Sequence, residues 1–181
     1  LIFERFADNP FLPKFYKDPD RYSFPLELSF LAERYNQLKN ELGNLYLFNS
    51  FVIADYFFMK SLIFAKQTLP DDEFQLYRQL FNIIYKSLPK PDLYVYLHLE
   101  ASFLMENIKK RGREYEQEIS EEYLLKIQEG YFSFFRQHPD LKILIIDTKG
   151  LDFVGNENHF KLVHDCIFEK DYPAGIHRII P

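Results

Sequence analysis

Short hydrophobic runs of strand length, alternating with segments of helical periodicity, predict an α/β fold built on a parallel sheet. Two observations carry the prediction. Leu1 to Phe3, Phe51 to Ala54, Leu93 to Leu99 and Leu141 to Ile146 are apolar runs without strict polar alternation, the pattern of strands covered on both faces by helices. Between them lie segments whose apolar residues recur every three or four positions, as a helix with one buried face requires. Strands joined through helices are parallel, and the architecture that follows is a three-layer, doubly wound sheet. A chain of 181 residues without repeats, low-complexity tracts or a linker reads as a single domain over residues 1–181, long enough to bury a real core.

Each element has its own signal. Leu1 to Phe3 leads to Glu4 at the C-terminal end of a strand, where open α/β sheets place their ligands. The chain opens at Leu1, with no Met and in mid-strand, so further residues are expected upstream. Asp8-Asn9-Pro10 breaks the chain, and the three prolines between Asn9 and Asp20 predict a loop with short helical turns. Phe24, Leu28, Leu31, Tyr35 and Leu38 predict an amphipathic helix from Tyr22 to Leu42, with Pro25 in its first turn and Gly43 and Asn44 at its end. Phe51 to Ala54 is a second buried strand ending in Asp55, and Tyr56 to Lys66 is apolar nearly all round, as a buried helix would be. Asp71 or Asp72 can cap the next helix, whose Phe74, Tyr77, Leu80, Phe81, Ile84 and Leu88 share a face. After the Leu93 to Leu99 strand, Ala101 to Lys110 reads as helix with Phe103, Leu104 and Ile108 inward. Ser120 caps a helix that His138-Pro139 ends. Leu141 to Ile146 ends in Asp147, and Asn156 or Glu157 opens a last helix through Phe168.

Composition excludes several functions. Net charge is -5, which argues against bulk binding to a nucleic acid polymer or an anionic membrane. Cys166 is the only cysteine, so no intrachain disulfide forms and a reducing, cytoplasmic setting is expected. No apolar run is long enough to span a bilayer. The five histidines are scattered, without metal-ligand spacing, and His98 reads as a core histidine satisfied by its neighbours.

One stretch stands out for chemistry. Lys109, Lys110, Arg111 and Arg113 surround Gly112 after a strand and a helix. A helix dipole accounts for one or two cations at its C-terminus, not for four. Guanidinium groups on a glycine hinge suggest a lid that closes over an anion, phosphate above all. The only glycine spacing of a G-x-x-x-x-G-K-[ST] loop is Gly150 to Gly155, and there Asn156 and Glu157 stand where Lys and Ser or Thr are required. A carboxylate there would repel phosphate, so that segment reads as an ordinary loop.

Taken together, ERFADNPFLPKFYKDPDRYSFPLE over residues 4–27, Asp55 with IFA at 63–65, LPKPDLYVYL at 88–97 and KKRGREYE at 109–116 resemble the deoxynucleoside kinases, in their bacterial deoxyadenosine and deoxyguanosine kinase branch. The resemblance runs from Leu1 to about Asp147. It implies a P-loop nucleoside kinase fold with a five-stranded parallel sheet, and transfer of the γ-phosphoryl group of ATP, with Mg²⁺, to the 5′-hydroxyl of a deoxynucleoside, with purines preferred. Glu4 matches the base that deprotonates that hydroxyl, and Tyr16 and Glu116 match the pair on the sugar 3′-hydroxyl. Arg111 and Arg113 match the lid arginines on the phosphates, and Arg34 matches an arginine that contacts the base. Asp55 would assist the metal or position Glu4. The family also implies a homodimer joined through helices, with the apolar Phe57 to Phe64 helix compatible with that interface or with burial in the monomer.

Three departures bear on activity. The family's phosphate loop, with its strand and helix, precedes the position of Glu4 and is not in this chain. Asp55-Tyr56-Phe57 stands where the family has Asp-Arg-Ser or Glu-Arg-Ser, so the arginine that helps activate the 5′-hydroxyl is replaced by Tyr56. Glu27 stands where a base-reading Gln is usual, and an ionised Glu only accepts hydrogen bonds where Gln also donates. These departures motivate an alternative, a non-catalytic nucleoside-binding or regulatory module of a larger fused enzyme. A nucleoside monophosphate kinase would need a further anion site, for which Lys14, Lys17, Arg21 and Arg34 supply the cations.

Overall fold

A computed structural model describes residues 1–4, 9–45 and 51–181, the side chains of residues 43–45 and 115 excepted. They gather into two compact units, Leu1–Lys90 with Arg113–Ile119, and Pro91–Gly112 with Ser120–Pro181.

The first unit is helical. The break expected at Asp8 lies outside the described residues. From Asn9 onward the prolines allow one short helix, α1 (Leu12–Lys17), with Pro in its first turn. α2 (Pro19–Leu45) starts three residues before the expected Tyr22, so Pro25 lies inside the helix and not in its first turn. Proline at that point removes one backbone donor, a loss that the surrounding turns absorb. Leu31 and Leu38 are buried as the periodicity requires. α3 (Lys60–Thr68) begins four residues later than the apolar run suggests. Phe58, Met59, Ile63 and Ala65 are buried within this unit. α4 (Asp71–Tyr85) buries Phe74, Tyr77 and Phe81, and it starts at Pro70 without a side-chain cap from either aspartate.

Neither Leu1 to Phe3 nor Phe51 to Ala54 is a buried strand: Ile2 is buried, but Leu1 and Phe3 are exposed. A single parallel bridge joins Ile2 to Ala54, with Ile2 N–H donating to Ile53 O at 2.8 Å and Asp55 N–H donating to Ile2 O at 2.9 Å. Phe51, Val52 and Ile53 remain exposed, so the apolar run alone does not extend the ladder. A pairing partner and cover on both faces are what turn such a run into a strand.

The second unit holds a parallel sheet in the order β1 (Tyr94–His98), β2 (Lys142–Asp147), β3 (Gly175–Ile179). α5 (Ala101–Arg111) and α6 (Glu121–Gln137) connect β1 to β2, and α7 (Glu157–Phe168) connects β2 to β3. β2 is central and buried along its middle, because it has a neighbour on each side and helices above it. β1 is an edge strand whose burial alternates, with Val95 and Leu97 37% and 46% exposed. The expectation of cover on both faces therefore holds for β2 and fails for β1. β3 falls in the Pro- and Gly-containing tail, whose sequence gives no strand signal; pairing with β2 supplies what the local residues do not.

The predicted caps of α6 and α7 are present. Ser120 accepts from Tyr123 N–H, and Asn156 accepts from Asn158 and His159 N–H. Gly112 closes α5 at φ 71°, a left-handed conformation that costs glycine nothing. His98 does not match its expectation: its ring packs on Tyr96 and Phe132, but its buried Nδ1 has no hydrogen-bond partner among the described residues.

Leu144 and Ile146 are fully buried against Cys166, Val163 and Ile167. Replacing Leu144 by Ala should cost roughly 2 to 5 kcal/mol of stability, measured as a lower denaturation midpoint in urea at unchanged slope.

Candidate functional site

The Ile2–Ala54 bridge sets the site. The two segments run parallel there, and Glu4, two residues past Ile2, donates its N–H to Oδ1 of Asp55, the residue after Ala54, at 2.7 Å. The Glu4 carboxylate, 12% exposed, is then clasped from two helices. Arg34 of α2 donates through Nε to Oε1 at 2.7 Å, and Lys60 of α3 reaches Oε2 at 2.6 Å. Arg34 is 4% exposed, stacks on Phe30 and also donates to Ser61 Oγ at 2.7 Å. Gln37, one turn on, donates to Phe3 O at 2.6 Å and so ties α2 to the segment that carries Glu4.

The electrostatics follow from this packing. Burial works to raise the Glu4 carboxyl, but the charges of Arg34 and Lys60 outweigh it and hold the group below the usual carboxylate range. Lys60 is shifted down, chiefly by burial and in part by the neighbouring guanidinium, against the pull of Glu4. Glu27, one level along α2, is 3% exposed. Burial pushes its carboxyl up to about 7, against the opposing influence of Arg34, Thr68 and Lys60. Thr68 Oγ1 lies 3.0 Å from Glu27 Oε1, and Tyr77 Oη donates to the Glu27 backbone carbonyl at 3.4 Å.

Of the sequence-predicted residues, the first unit brings Glu4, Arg34 and Asp55 into one hydrogen-bonded cluster with Glu27 beside it. Arg34 faces the Glu4 carboxylate. Tyr56, in place of the motif arginine, turns its hydroxyl toward Arg34 O at 3.4 Å and Gln37 Oε1 at 3.3 Å. Tyr16 lies on α1, which packs against the 3₁₀ turn Glu114–Glu116 that carries Glu116. Glu116 is buried and pairs with Arg113 at 3.0 Å. Arg111 ends α5 and belongs to the second unit, whereas Glu4 and Arg113 belong to the first.

Sequence reasoning missed Lys60, Ser61 and Thr68. A signal for Lys60 was present: it is the lone charge in the apolar run from Tyr56 to Ala65, and a cation in a buried helix needs a counter-charge. Among the described residues no group of three His, Cys, Asp or Glu side chains could hold a metal ion by itself, and no helix is long and apolar enough to cross a membrane.

The family model described as deoxynucleoside kinase matches residues 2–170. A deoxyguanosine kinase from Bacillus subtilis (strain 168) is 34% identical over 167 residues, covering 90% of this chain and 81% of the relative. A deoxyadenosine kinase from Lactobacillus acidophilus is 33% identical over 186 residues, covering 93% of this chain and 83% of the relative. Among solved structures, a deoxyadenosine kinase from M. mycoides with bound dATP superposes with a TM-score of 0.75 at 26% identity, over 91% of this chain and 83% of that one. Kinases matched along nearly the whole chain do not favour the alternative of a non-catalytic module. The chain belongs to the deoxynucleoside kinase family, with its parallel α/β fold and its ATP-dependent phosphotransfer.

Proposed function

We propose that this deoxynucleoside kinase phosphorylates the 5′-hydroxyl of a purine deoxynucleoside, with Glu4 as the group that orients and accepts the hydroxyl proton. The observation that carries the reading is the buried Glu4 carboxylate just past the Ile2–Ala54 bridge, its backbone fixed by Asp55 and its oxygens held by Arg34 and Lys60. Relatives named as deoxyguanosine and deoxyadenosine kinases support the purine.

A carboxylate held below its usual range is a weak base but a dependable acceptor. That suits phosphoryl transfer through a loose transition state, where positioning and charge stabilisation matter more than proton abstraction. The substrate hydroxyl, donating to Glu4, would compete with Arg34 or Lys60 for one oxygen, so the cations set how strongly Glu4 accepts. Arg113 and Arg111 are assigned to the phosphates, where forked donors stabilise the transferring group. In this structure Arg113 holds Glu116, so it would exchange that partner for phosphate, leaving Glu116 to the sugar 3′-hydroxyl with Tyr16.

Mg²⁺, bound with ATP, supplies neutralisation of the phosphate charge. Asp55 is the residue that would hold it: the side chain is exposed and, among the described residues, only its Oδ1 is occupied, by Glu4 N–H. One or two carboxylates plus substrate phosphates are the usual Mg²⁺ donors, so the absence of a three-ligand cluster among the described residues fits. We further place the enzyme in the cytoplasm, where the buried, unpaired Cys166 stays reduced, as a single-domain homodimer. The Phe57 to Phe64 run is largely packed within its own unit, whereas Leu76 and Ile83 on α4 are exposed two turns apart and offer a helical contact.

Replacing Glu4 by Gln in the intact protein should lower turnover by roughly 10² to 10⁴ while sparing nucleoside binding; steady-state kinetics with calorimetry decides, and unchanged turnover rules out the role. Replacing Lys60 by Met removes one of the two cations that hold Glu4 down while burial remains. The acidic limb of the pH profile of kcat/KM should then move to higher pH, and an unmoved limb would separate Lys60 from the reacting carboxylate.

A further inference from the structure

The Gln-to-Glu departure at position 27 carries chemical information that the family assignment leaves open. Glu27 lies 3% exposed on α2, and the groups that face it come from three helices: Arg34 of its own helix, Lys60 and Thr68 of α3, and Tyr77 of α4. Oε1 is tied to Thr68 Oγ1 at 3.0 Å, and among the described residues no hydrogen bond reaches Oε2. A carboxyl group this deep in a protein with one oxygen unclaimed is costly unless water or a ligand completes it.

The Thr68 hydroxyl makes both states of Glu27 tenable. It lies 3.0 Å from Glu27 Oε1 and 3.1 Å from Phe64 O. With one proton, it donates to an ionised Glu27, or to Phe64 O when Glu27 is protonated and donates in turn. Thr68 therefore anchors the carboxyl without fixing its charge, and the nearby Arg34 and Lys60 favour the ionised form.

We propose that Glu27 makes the site selective for guanine over adenine, its carboxylate accepting from guanine N1–H and the exocyclic N2–H. This rests on the reading above that the pocket takes a purine deoxynucleoside. Guanine presents two adjacent donors on that edge and an acceptor, O6, beside them. Adenine presents a lone pair at N1 and a donor at N6. An ionised Glu27 therefore accepts from guanine and meets adenine N1 lone pair against lone pair, while the cations flanking it suit O6 and not the N6 amine. A glutamine there would serve adenine, donating to N1 and accepting from N6–H. The carboxyl titrates at about 7 because burial opposes its charge, so protonation at lower pH supplies the donor that adenine needs. Selectivity for guanine should accordingly strengthen as pH rises through neutrality.

The test compares deoxyguanosine, deoxyadenosine and deoxyinosine on the intact protein, by calorimetric binding and by kcat/KM from pH 6 to 8.5. Deoxyguanosine should bind best, deoxyinosine about 10-fold more weakly for want of the N2 amine, and deoxyadenosine about 10- to 100-fold more weakly, the discrimination of one good bidentate pair. The deoxyadenosine to deoxyguanosine ratio should fall as pH rises, and in Glu27→Gln it should rise by about 10- to 100-fold and lose its pH dependence. Equal binding of the two purines by the wild-type protein, or a ratio that neither pH nor Glu27→Gln changes, would overturn the inference. The wild-type comparison stands even if the variant does not fold. Selective binding of deoxyguanosine without turnover would uphold Glu27 and reject the catalytic reading alone.

Discussion

The first unit is organised around a desolvation problem. Glu4, Arg34 and Lys60 come from three separate segments, and at least Glu4 and Arg34 are well buried in one another's company. Taking an isolated charge out of water costs several kcal/mol, and pairing repays it only with good geometry and further hydrogen bonds. Here the repayment is distributed: each Glu4 oxygen has a cation, Arg34 has Ser61 and the face of Phe30, and the Glu4 backbone has Asp55. Removing any one member leaves another uncompensated. The cluster therefore fixes the spacing of α2 and α3 as firmly as the apolar contacts around it.

The same cluster has a charge balance that can change. Two cations face Glu4, which stays ionised, and Glu27, which burial brings to the edge of neutrality. Among Arg34, Lys60, Glu4 and Glu27 alone, protonating Glu27 leaves a surplus positive charge and ionising it brings the four into balance. A pocket whose net charge alternates near physiological pH responds to what a ligand offers it, because a ligand that donates to Glu27 draws the proton off and one that accepts from Glu27 keeps it on. The second unit shows the contrasting arrangement. Asp147 stands at the end of β2 and accepts from Lys149 N–H and Arg178, and its carboxyl is held low chiefly by the Lys149 backbone N–H, with burial opposing.

Much of the architecture was legible because it depends on local pattern. The helical periods of α4, α5 and α6, the caps Ser120 and Asn156, the helix stop at Gly112 and the carboxylate of Asp147 at the end of β2 all follow from residues close in sequence. What escaped depends on partners. β3 is a strand because β2 lies beside it, Phe51 to Ala54 is not one because its ladder is a single bridge, and β1 alternates because it is an edge. The site divides in the same way. Glu4, Asp55 and Arg34 were named by resemblance, without any sign that they share one cluster, whereas Lys60, Ser61 and Thr68 act through contacts 27 to 56 residues away in sequence. The raised carboxyl of Glu27 was not readable at all, since burial of that side chain is a property of three helices packed together.

Position 56 shows why a motif and its chemistry can part. The family's motif puts an arginine directly after the strand-end acid, and Tyr56 lacks the charge. The hydroxyl of Tyr56 instead reaches Arg34 O and Gln37 Oε1, so the residue braces the helix that delivers a guanidinium to Glu4 from the opposite side. Lys60, four residues further on, delivers the second cation. An ammonium is a compact point charge on a flexible stem, and a guanidinium is a rigid fork. Dividing the work between them gives Glu4 one oxygen held in fixed geometry and one held by a group that can swing aside. Of the two Glu4 oxygens, Oε2 is therefore the one whose partner is held less rigidly.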